Sequence, residues 1–329
     1  MLVLTRSQVR ELVSMADAIE LMKTAFAELS AGRTVSPLRT VIPLPDREGD
    51  ALFMPAYVPA MDALGLKSVN VFRRNLERGL PVIHAIVSLV DPETGQPMAL
   101  MDGTYLTALR TGAVSGAAAD LLARPESRVL AAIGAGAQGI TQIAAVCAVR
   151  PIERVIAVDV NEQALERLRQ QLRNDWPEIE SRLETTTDAG AAVREADVIC
   201  TATTSRTPVF RDEDVRPGTH ISAVGAYTPE MQELPAETVA RATVVVDAVD
   251  AALAEAGDLI IPLNDGLVTR EHFARELGMV ASGTAPGRTS DDEVTLFKSV
   301  GNAVQDVVVA KRAVERAWEM GVGTEVELA

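Results

Sequence analysis

The sequence predicts an α/β protein in which a doubly wound parallel sheet is inserted into a mixed α+β domain. Residues 1 to about 115 contain short extended segments and a hairpin signal, which are typical of a largely antiparallel sheet. From about residue 120 onward, strands and helices alternate, as they do in parallel sheets. We therefore expect two domains, one formed by residues 1–118 with 300–329 and the other by residues 119–299.

The first domain begins with an amphipathic helix. Ser14 is a suitable N-cap, and Met15, Met22 and Phe26 recur on one helical face until Gly32 ends the pattern. The extended segments that follow are expected at residues 40–44, 51–57, 65–72, 82–90 and 97–101. The sequence Asp-Pro-Glu-Thr-Gly at residues 91–95 is a turn signal that joins the last two segments into a hairpin.

A glycine-rich turn follows the first strand of the second domain. Gly134, Gly136 and Gly139 complete the pattern G-x-G-x-x-G, which allows a tight turn, a close approach to a pyrophosphate and close packing of helix on strand. The next strand ends at Asp159, where a carboxylate is placed to bind adenosine ribose hydroxyls. The alternative, a glycine-rich turn of any α/β domain, leaves Asp159 unexplained. The pattern predicts a Rossmann domain that binds a dinucleotide.

Further strands of this Rossmann sheet are expected at residues 183–186, 197–202, 219–224 and 243–247, with helical pieces between them. The sequence Ser-Asp-Asp-Glu at residues 290–293 is typical of a capping box. It predicts a long final helix that continues through Val304, Val308 and Val314. We expect this helix to return to the first domain, which makes the Rossmann domain an insertion.

Composition excludes several classes of partner. The chain has 329 residues and a net charge of −15, which argues against binding to nucleic acid or to an anionic membrane. Residues 129–149 carry no charge, but their alanine and glycine content argues against a membrane span. Cys147 and Cys200 lie in apolar sequence, which favours reduced thiols and a cytoplasmic protein. No cluster has the spacing of metal ligands.

Cations within apolar sequence are the next signal, because a buried cation needs an anionic partner. Lys67, Arg110 and Arg39 are of this kind. An arginine can hold a carboxylate through two parallel hydrogen bonds, and a poorly solvated lysine can exchange protons near neutral pH. The alternative for each cation is a structural ion pair with one of the many acidic residues. Separately, Asp306 on the final helix is interpreted as a structural pair or a hydrogen-bond anchor rather than an acid catalyst. Thr111 can cap its helix, whose end can meet a cofactor phosphate.

Several ordered motifs together resemble the ornithine cyclodeaminase/mu-crystallin family over essentially the whole chain. These motifs are residues 65–67, 102–112, 133–138, 201–203, 217–221 with Gly225, 276–278 and 296–301. The resemblance implies a homodimer whose mixed substrate-binding and dimerisation domain carries an inserted Rossmann domain. The family includes cyclodeaminases, alanine dehydrogenases and ketimine reductases, together with a crystallin that also binds hormone.

The resemblance also implies roles for individual residues. Arg39, Lys67 and Arg110 match the residues that bind the substrate carboxylate and transfer protons, and we add Val300 to the substrate-binding residues. The residues that we expect to contact the nicotinamide cofactor are Arg110, Thr111, Gly134, Gly136, Ala137, Gln138, Gly139, Asp159, Thr201, Thr203, Val224 and Ser299. Asp159, with Val160 beside it and no arginine there, favours NAD(H), with NADP(H) as the alternative.

One departure from the family bears on the reaction. Tyr227 stands where deaminating members carry an aspartate, and Met231 stands where they carry a lysine. We therefore interpret the chain as an NAD(P)H-dependent reductase of a cyclic 2-imino acid, such as 1-pyrroline-2-carboxylate or 1-piperideine-2-carboxylate. Lys67, Arg110 and Tyr227 are the catalytic candidates. The alternatives are an ornithine cyclodeaminase, an alanine or other amino-acid dehydrogenase, or a crystallin-like nucleotide-bound protein with little turnover.

Overall fold

The computed structural model describes residues 1–327, without the side chain of Leu76. The described chain forms two compact units. One comprises Met1–Arg110 and the segment that begins at Asn302, and the other is Thr111–Gly301. The predicted fold class, a doubly wound parallel sheet inserted into a mixed α+β domain, is confirmed. The boundaries expected from the sequence, 118/119 and 299/300, stay predictions.

The strands are numbered in chain order. They are β1 (Leu2–Leu4), β2 (Thr40–Leu44), β3 (Gly49–Val58), β4 (Ala63–Phe72), β5 (Ile83–Val90), β6 (Pro97–Asp102), β7 (Val129–Ile133), β8 (Arg154–Val158), β9 (Leu183–Thr186), β10 (Val198–Thr201), β11 (His220–Ala223), β12 (Thr243–Val246), β13 (Thr295–Lys298) and β14 (Thr324–Glu325).

The helices are numbered in the same way. They are α1 (Arg6–Leu12), α2 (Met15–Ser30), α3 (Gly103–Leu122), α4 (Ala137–Val149), α5 (Glu162–Asp175), α6 (Pro177–Glu180), α7 (Ala189–Glu195), α8 (Ala236–Arg241), α9 (Val249–Glu255), α10 (Gly257–Asn264), α11 (Leu277–Ala281) and α12 (Ala303–Met320). As predicted, Ser14 caps α2 by accepting a hydrogen bond from the backbone N–H of Asp17.

The first unit is built on a mixed sheet with the strand order β14-β1-β6-β5-β4-β3-β2. β1 and β6 are parallel, and the other neighbours are antiparallel. The helix α12 packs on β3, β4 and β5, and α2 packs on α12. The buried side chains of Met22 and Phe26 in α2 and of Val304 and Val308 in α12 contribute to this core. One face of the sheet is thereby covered by helices.

The second unit contains a sheet whose strand pairs are all parallel, in the order β12-β13-β11-β10-β7-β8-β9. The chain starts this sheet at β7, builds β8 and β9 on one side and then crosses to β10 on the other. Ligands of such sheets bind at the carboxyl ends of the strands, at the point where the winding reverses. This point is the boundary between β7 and β10.

The expected start of the final helix is wrong. Residues 295–298 form the buried strand β13, and α12 begins only at Ala303, where Asn302 is the N-cap and Gln305 completes the capping box. The side chain of Glu293 instead accepts hydrogen bonds from the backbone N–H and the hydroxyl of Thr289. A short apolar run fits a buried strand or a helix equally well, which explains the error.

Among residues 1–327, none of the helices combines the length and the apolar character that a bilayer crossing requires.

The glycine turn after β7 offers a matched test of packing. An added Cβ at Gly139 would lie 1.9 Å from the carbonyl oxygen of Gly134, whereas one at Gly136 would meet nothing within 4 Å. We expect Gly139→Ala to lower the free energy of unfolding by about 1–3 kcal/mol, the usual cost of overpacking. Gly136→Ala should change it by no more than about 0.5 kcal/mol. Chemical denaturation of the nucleotide-free protein measures both, and equal stabilities would contradict this account.

Candidate functional site

Lys67 lies in the middle of β4, and its side chain is only 1% exposed. Its partners across the two neighbouring strands are Met54 of β3 and Val87 of β5, and both are buried. Directly opposite side chains on one face of an antiparallel sheet have Cβ atoms about 4.5–5.5 Å apart. The stem of Lys67 therefore runs between two apolar side chains, and its ammonium group needs an anionic partner.

That partner is Asp306 on α12, which is fully buried. One carboxylate oxygen of Asp306 lies 2.8 Å from Nζ of Lys67, and the other accepts a hydrogen bond of 3.0 Å from Nε of Arg110. Nη1 of Arg110 also donates to Oε1 of Gln305, at 3.0 Å. The same oxygen of Gln305 accepts the backbone N–H of Asn302 in the helix cap. The cap of α12 thus helps to hold the guanidinium group.

The cluster has an unbalanced charge. When Lys67 is protonated, two cations, Lys67 and Arg110, face the single carboxylate of Asp306. An unbalanced positive charge in a buried place favours an anionic ligand, and the planar guanidinium group matches a carboxylate in particular. The sequence pointed to both cations as candidates. It could not show that one aspartate holds them together.

The environment of Lys67 brings the pKa of its ammonium group close to neutral pH. Burial and, to a smaller extent, the positive charge of Arg110 lower the pKa of Lys67, whereas Asp306 raises it, and the net result is a pKa of about 7. The charge of Arg39 also lowers this pKa. Arg39 is partly buried and precedes β2. Its segment is tied to the start of α12 by a hydrogen bond of 2.6 Å from the Ser36 hydroxyl to Asn302.

In the second unit, the glycine turn and Asp159 form one structure. Gly134 has a φ of +106°, which glycine adopts without strain. The carboxylate of Asp159 accepts the backbone N–H of Ala135 at 2.8 Å and that of Asn161 at 2.9 Å. The space around Gly136 is open, and the buried side-chain oxygen of Gln138 makes no hydrogen bond within the described residues. A free acceptor and an open backbone at a helix N-terminus fit a dinucleotide.

The other expected cofactor contacts lie at or after the ends of β10, β11 and β13. Thr201 is the last residue of β10 and is fully buried, and its carbonyl oxygen accepts the backbone N–H of Val224. Thr203 donates through both its N–H and its hydroxyl to a buried carboxylate, that of Glu233. Sequence reasoning missed Glu233. Tyr227 is partly buried in the segment after β11.

Ser299 and Val300 follow β13 and are held by Asp247, which follows β12. One oxygen of Asp247 accepts the Ser299 hydroxyl at 2.7 Å and the backbone N–H groups of Val300 and Gly301 at 2.9 and 2.8 Å. The Ser299 hydroxyl is thereby used as a donor, so it can offer a ligand only an acceptor. The expectation that Thr111 caps its helix is wrong, because α3 begins at Gly103 and Thr111 lies in its middle. Thr111 is buried, and its carbonyl oxygen accepts the side-chain N–H of Gln142.

Comparison with known proteins gives a consistent result. The model of the ornithine cyclodeaminase/mu-crystallin family matches residues 1–321. A Delta(1)-pyrroline-2-carboxylate reductase of Bacillus cereus is 43% identical over 328 residues, which cover 99% of this chain and 100% of the relative.

Two solved structures are similar over nearly the whole chain. The Thermococcus litoralis Delta(1)-pyrroline-2-carboxylate reductase, in complex with NADH and L-proline, has a TM-score of 0.95 and 41% identity, and the match covers 99% of this chain and 100% of that one. An archaeal alanine dehydrogenase dimer with bound NAD has a TM-score of 0.91 and 37% identity, and the match covers 100% of this chain and 99% of that one.

The ionisation of Lys67 can be measured directly. The chain contains only four lysines, so NMR of ¹³C-labelled lysine resolves them, and Lys67→Met identifies the signal. We expect a midpoint near pH 7 in the native protein and a lower one in Asp306→Asn, because the carboxylate raises this pKa. Glu315→Gln also replaces a carboxylate of α12 by an amide, but at the surface, and it should leave the titration midpoint of Lys67 unchanged. A native midpoint above about 9, closer to the ordinary lysine value, would refute the assignment.

Proposed function

The chain belongs to the ornithine cyclodeaminase/mu-crystallin family, and from this premise we propose that it reduces a cyclic 2-imino acid to the amino acid with NAD(P)H. The preferred substrates are 1-pyrroline-2-carboxylate and 1-piperideine-2-carboxylate. The observation that carries the proposal is the buried cluster of Lys67, Asp306 and Arg110, which offers a carboxylate site next to a proton donor of near-neutral pKa. The relatives that are named pyrroline-2-carboxylate reductases support the same substrate class.

Arg110 and Arg39 bind the substrate carboxylate in this proposal. Asp306 and Gln305 fix the plane of the Arg110 guanidinium group, so little freedom is lost when it meets the substrate. The assignment of Val300 to the substrate-binding residues stays a prediction, and its backbone N–H is held by Asp247. These contacts orient the C=N bond of the imine.

Lys67 supplies the proton. When bound, the nicotinamide cofactor would supply the hydride for the imine carbon and would be released in its oxidised form. The electron pair of the C=N bond moves to nitrogen, and Lys67 gives that nitrogen its proton, so that a secondary amine forms. Asp306 keeps the ammonium form of Lys67 available at neutral pH, because its charge opposes the effect of burial. Solvent then returns the proton to Lys67.

Tyr227 argues against the deaminating alternatives in this proposal. An ammonia-eliminating reaction needs a base that activates an amine, and a phenol with an unperturbed pKa of about 10 is a poor base near neutral pH. We assign Tyr227 to packing against the cofactor or the substrate ring. Alanine dehydrogenase is the second candidate, because the archaeal dehydrogenase is so similar in structure. A crystallin-like protein with little turnover is the candidate outside enzymes.

The proposed reaction has a defined pH dependence. We expect NADH oxidation with a cyclic imine, and we expect kcat/KM to fall as the pH rises above about 7, because Lys67 then loses the proton that it must donate. Lys67→Met should lose about 10²–10⁴-fold in kcat while the protein still binds NADH. Tyr227→Phe is the matched control and should lose much less. If the protein released ammonia from ornithine at a rate comparable to that of imine reduction, the proposed reductase activity would be wrong and a cyclodeaminase activity would be indicated.

The cofactor preference follows from the end of β8. We propose that NADH is preferred, because Asp159 repels a 2′-phosphate and the next residue, the exposed Val160, supplies no positive charge. Asp159→Ser combined with Val160→Arg should shift the ratio of kcat/KM values toward NADPH. Val160→Arg alone is the control that keeps the repelling carboxylate. A native protein that uses NADPH better than NADH would contradict this prediction.

We also propose a homodimer in the cytoplasm. The sheet face of the first unit opposite to Lys67 exposes Ile42 and Ile86, each at 51%, which is typical of an interface. The alanine dehydrogenase neighbour is a dimer. Free thiols at Cys147 and Cys200 agree with a reducing compartment. Analytical ultracentrifugation tests the assembly, and a monomer at micromolar concentration would disprove it.

A further inference from the structure

A buried carboxylate joins two strand ends in the second unit. One oxygen of Glu233 accepts the N–H and the hydroxyl of Thr203, at 2.6 and 2.8 Å, after the end of β10. Its other oxygen accepts the N–H groups of Gly225 and Ala226, at 2.7 and 3.2 Å, after the end of β11. An added Cβ at Gly225 would lie 2.4 Å from this carboxylate and 2.3 Å from the Thr203 carbonyl oxygen. The three segments therefore leave no room for an intervening side chain.

This carboxylate belongs to a group with a net negative charge. Asp258 accepts the backbone N–H of Glu233 at 2.7 Å, and its other oxygen lies 2.8 Å from Nζ of Lys298. All three side chains are fully buried. Burial and the negative charge of Asp258 raise the pKa of Glu233, whereas Lys298 and the hydrogen bonds donated by Thr203 lower it. Both oxygens of Glu233 accept N–H groups, which fits the ionised form, so two carboxylates face one ammonium group.

The position of Glu233 in the sheet relates it to one half of the cofactor. Asp159 assigns the adenosine half of a dinucleotide to the side of β7 and β8. Because a dinucleotide lies across the point where the winding reverses, the nicotinamide half belongs to the ends of β10 and β11. Glu233 holds the backbone at those two ends. This step depends on the nucleotide site of the proposed function.

We propose that Glu233 tunes the redox state of the bound cofactor as well as positioning Thr203 and Gly225. The nicotinamide ring is neutral in NADH and carries a positive charge in NAD⁺, and this charge develops during hydride transfer. A negative charge fixed in a poorly solvated place favours the cationic ring over the neutral one. Glu233 therefore stabilises NAD⁺ relative to NADH and makes hydride donation to the imine more favourable.

The ratio of two dissociation constants tests this proposal. Titration of the native protein and of Glu233→Gln with NADH and with NAD⁺ gives both values without catalysis. Loss of the hydrogen bonds of Glu233 weakens the binding of NADH and of NAD⁺ alike, whereas loss of its negative charge weakens the binding of NAD⁺ more. We expect the ratio of the NAD⁺ to the NADH dissociation constant to rise about tenfold, which corresponds to a loss of about 1.4 kcal/mol in the preference for the cationic ring.

Two further variants separate charge from structure. Glu233→Asp keeps the charge and shortens its reach, so it should weaken both forms and keep the native ratio. Asp258→Asn removes one negative charge of the group without touching the Thr203 and Gly225 contacts, and it should raise the ratio even if Glu233→Gln does not fold. An unchanged ratio in the amide variants would overturn the proposal while the proposed reductase stands. A native protein that binds neither nucleotide would instead contradict the proposed function.

Discussion

The burial of a single carboxylate between two cations is the constraint on which the first unit depends. Removing one partner from a buried ion pair typically costs about 3–5 kcal/mol, because the other charge is left unpaired. Asp306 therefore requires both Lys67 and Arg110 at hydrogen-bonding or ion-pair distance. This requirement fixes α12 against β4 and against the start of α3. In the chain, Asp306 is nearly two hundred positions from Arg110 and well over two hundred from Lys67.

In the second unit, some buried and partly buried carboxylates bind the backbone of turns rather than cationic side chains. The strands of a parallel sheet end in turns whose backbone N–H groups have no partner in the sheet. Asp159, Glu233 and Asp247 each accept such groups, and each links turns at the same edge. A carboxylate that accepts several N–H groups is rigid, since each bond to an ionised acceptor is stronger than a neutral one. The predicted cofactor residues Ala137, Thr203 and Ser299 lie in or beside these braced turns.

The features that could be predicted from the sequence are those that depend on neighbouring residues. The glycine pattern with Asp159 needs only about 25 neighbouring residues, and Lys67 and Arg110 are conspicuous because they interrupt apolar sequence. Local sequence does not show which acidic side chain pairs with which cation or backbone group. The chain has 46 acidic residues, and nothing local shows which cations Asp306 faces or singles out Glu233, because these contacts are tertiary. The strand β13 was missed for a related reason, since a four-residue apolar run becomes a strand only through its pairing with β11 and β12.

The burial of the positively charged groups affects the rate at which ligands associate with the protein. Lys67 and Arg110 are buried, and the chain as a whole has a net charge of −15. An approaching molecule therefore meets a mainly negative electrostatic field. An imino acid and a dinucleotide are both anions, and such a field slows their diffusion toward the protein. Added salt shortens the reach of this repulsion to about 8 Å at physiological ionic strength. Salt therefore speeds the approach of anionic ligands over long distances, whereas it has little effect on the final contact with the buried cluster, because buried charges are screened much less.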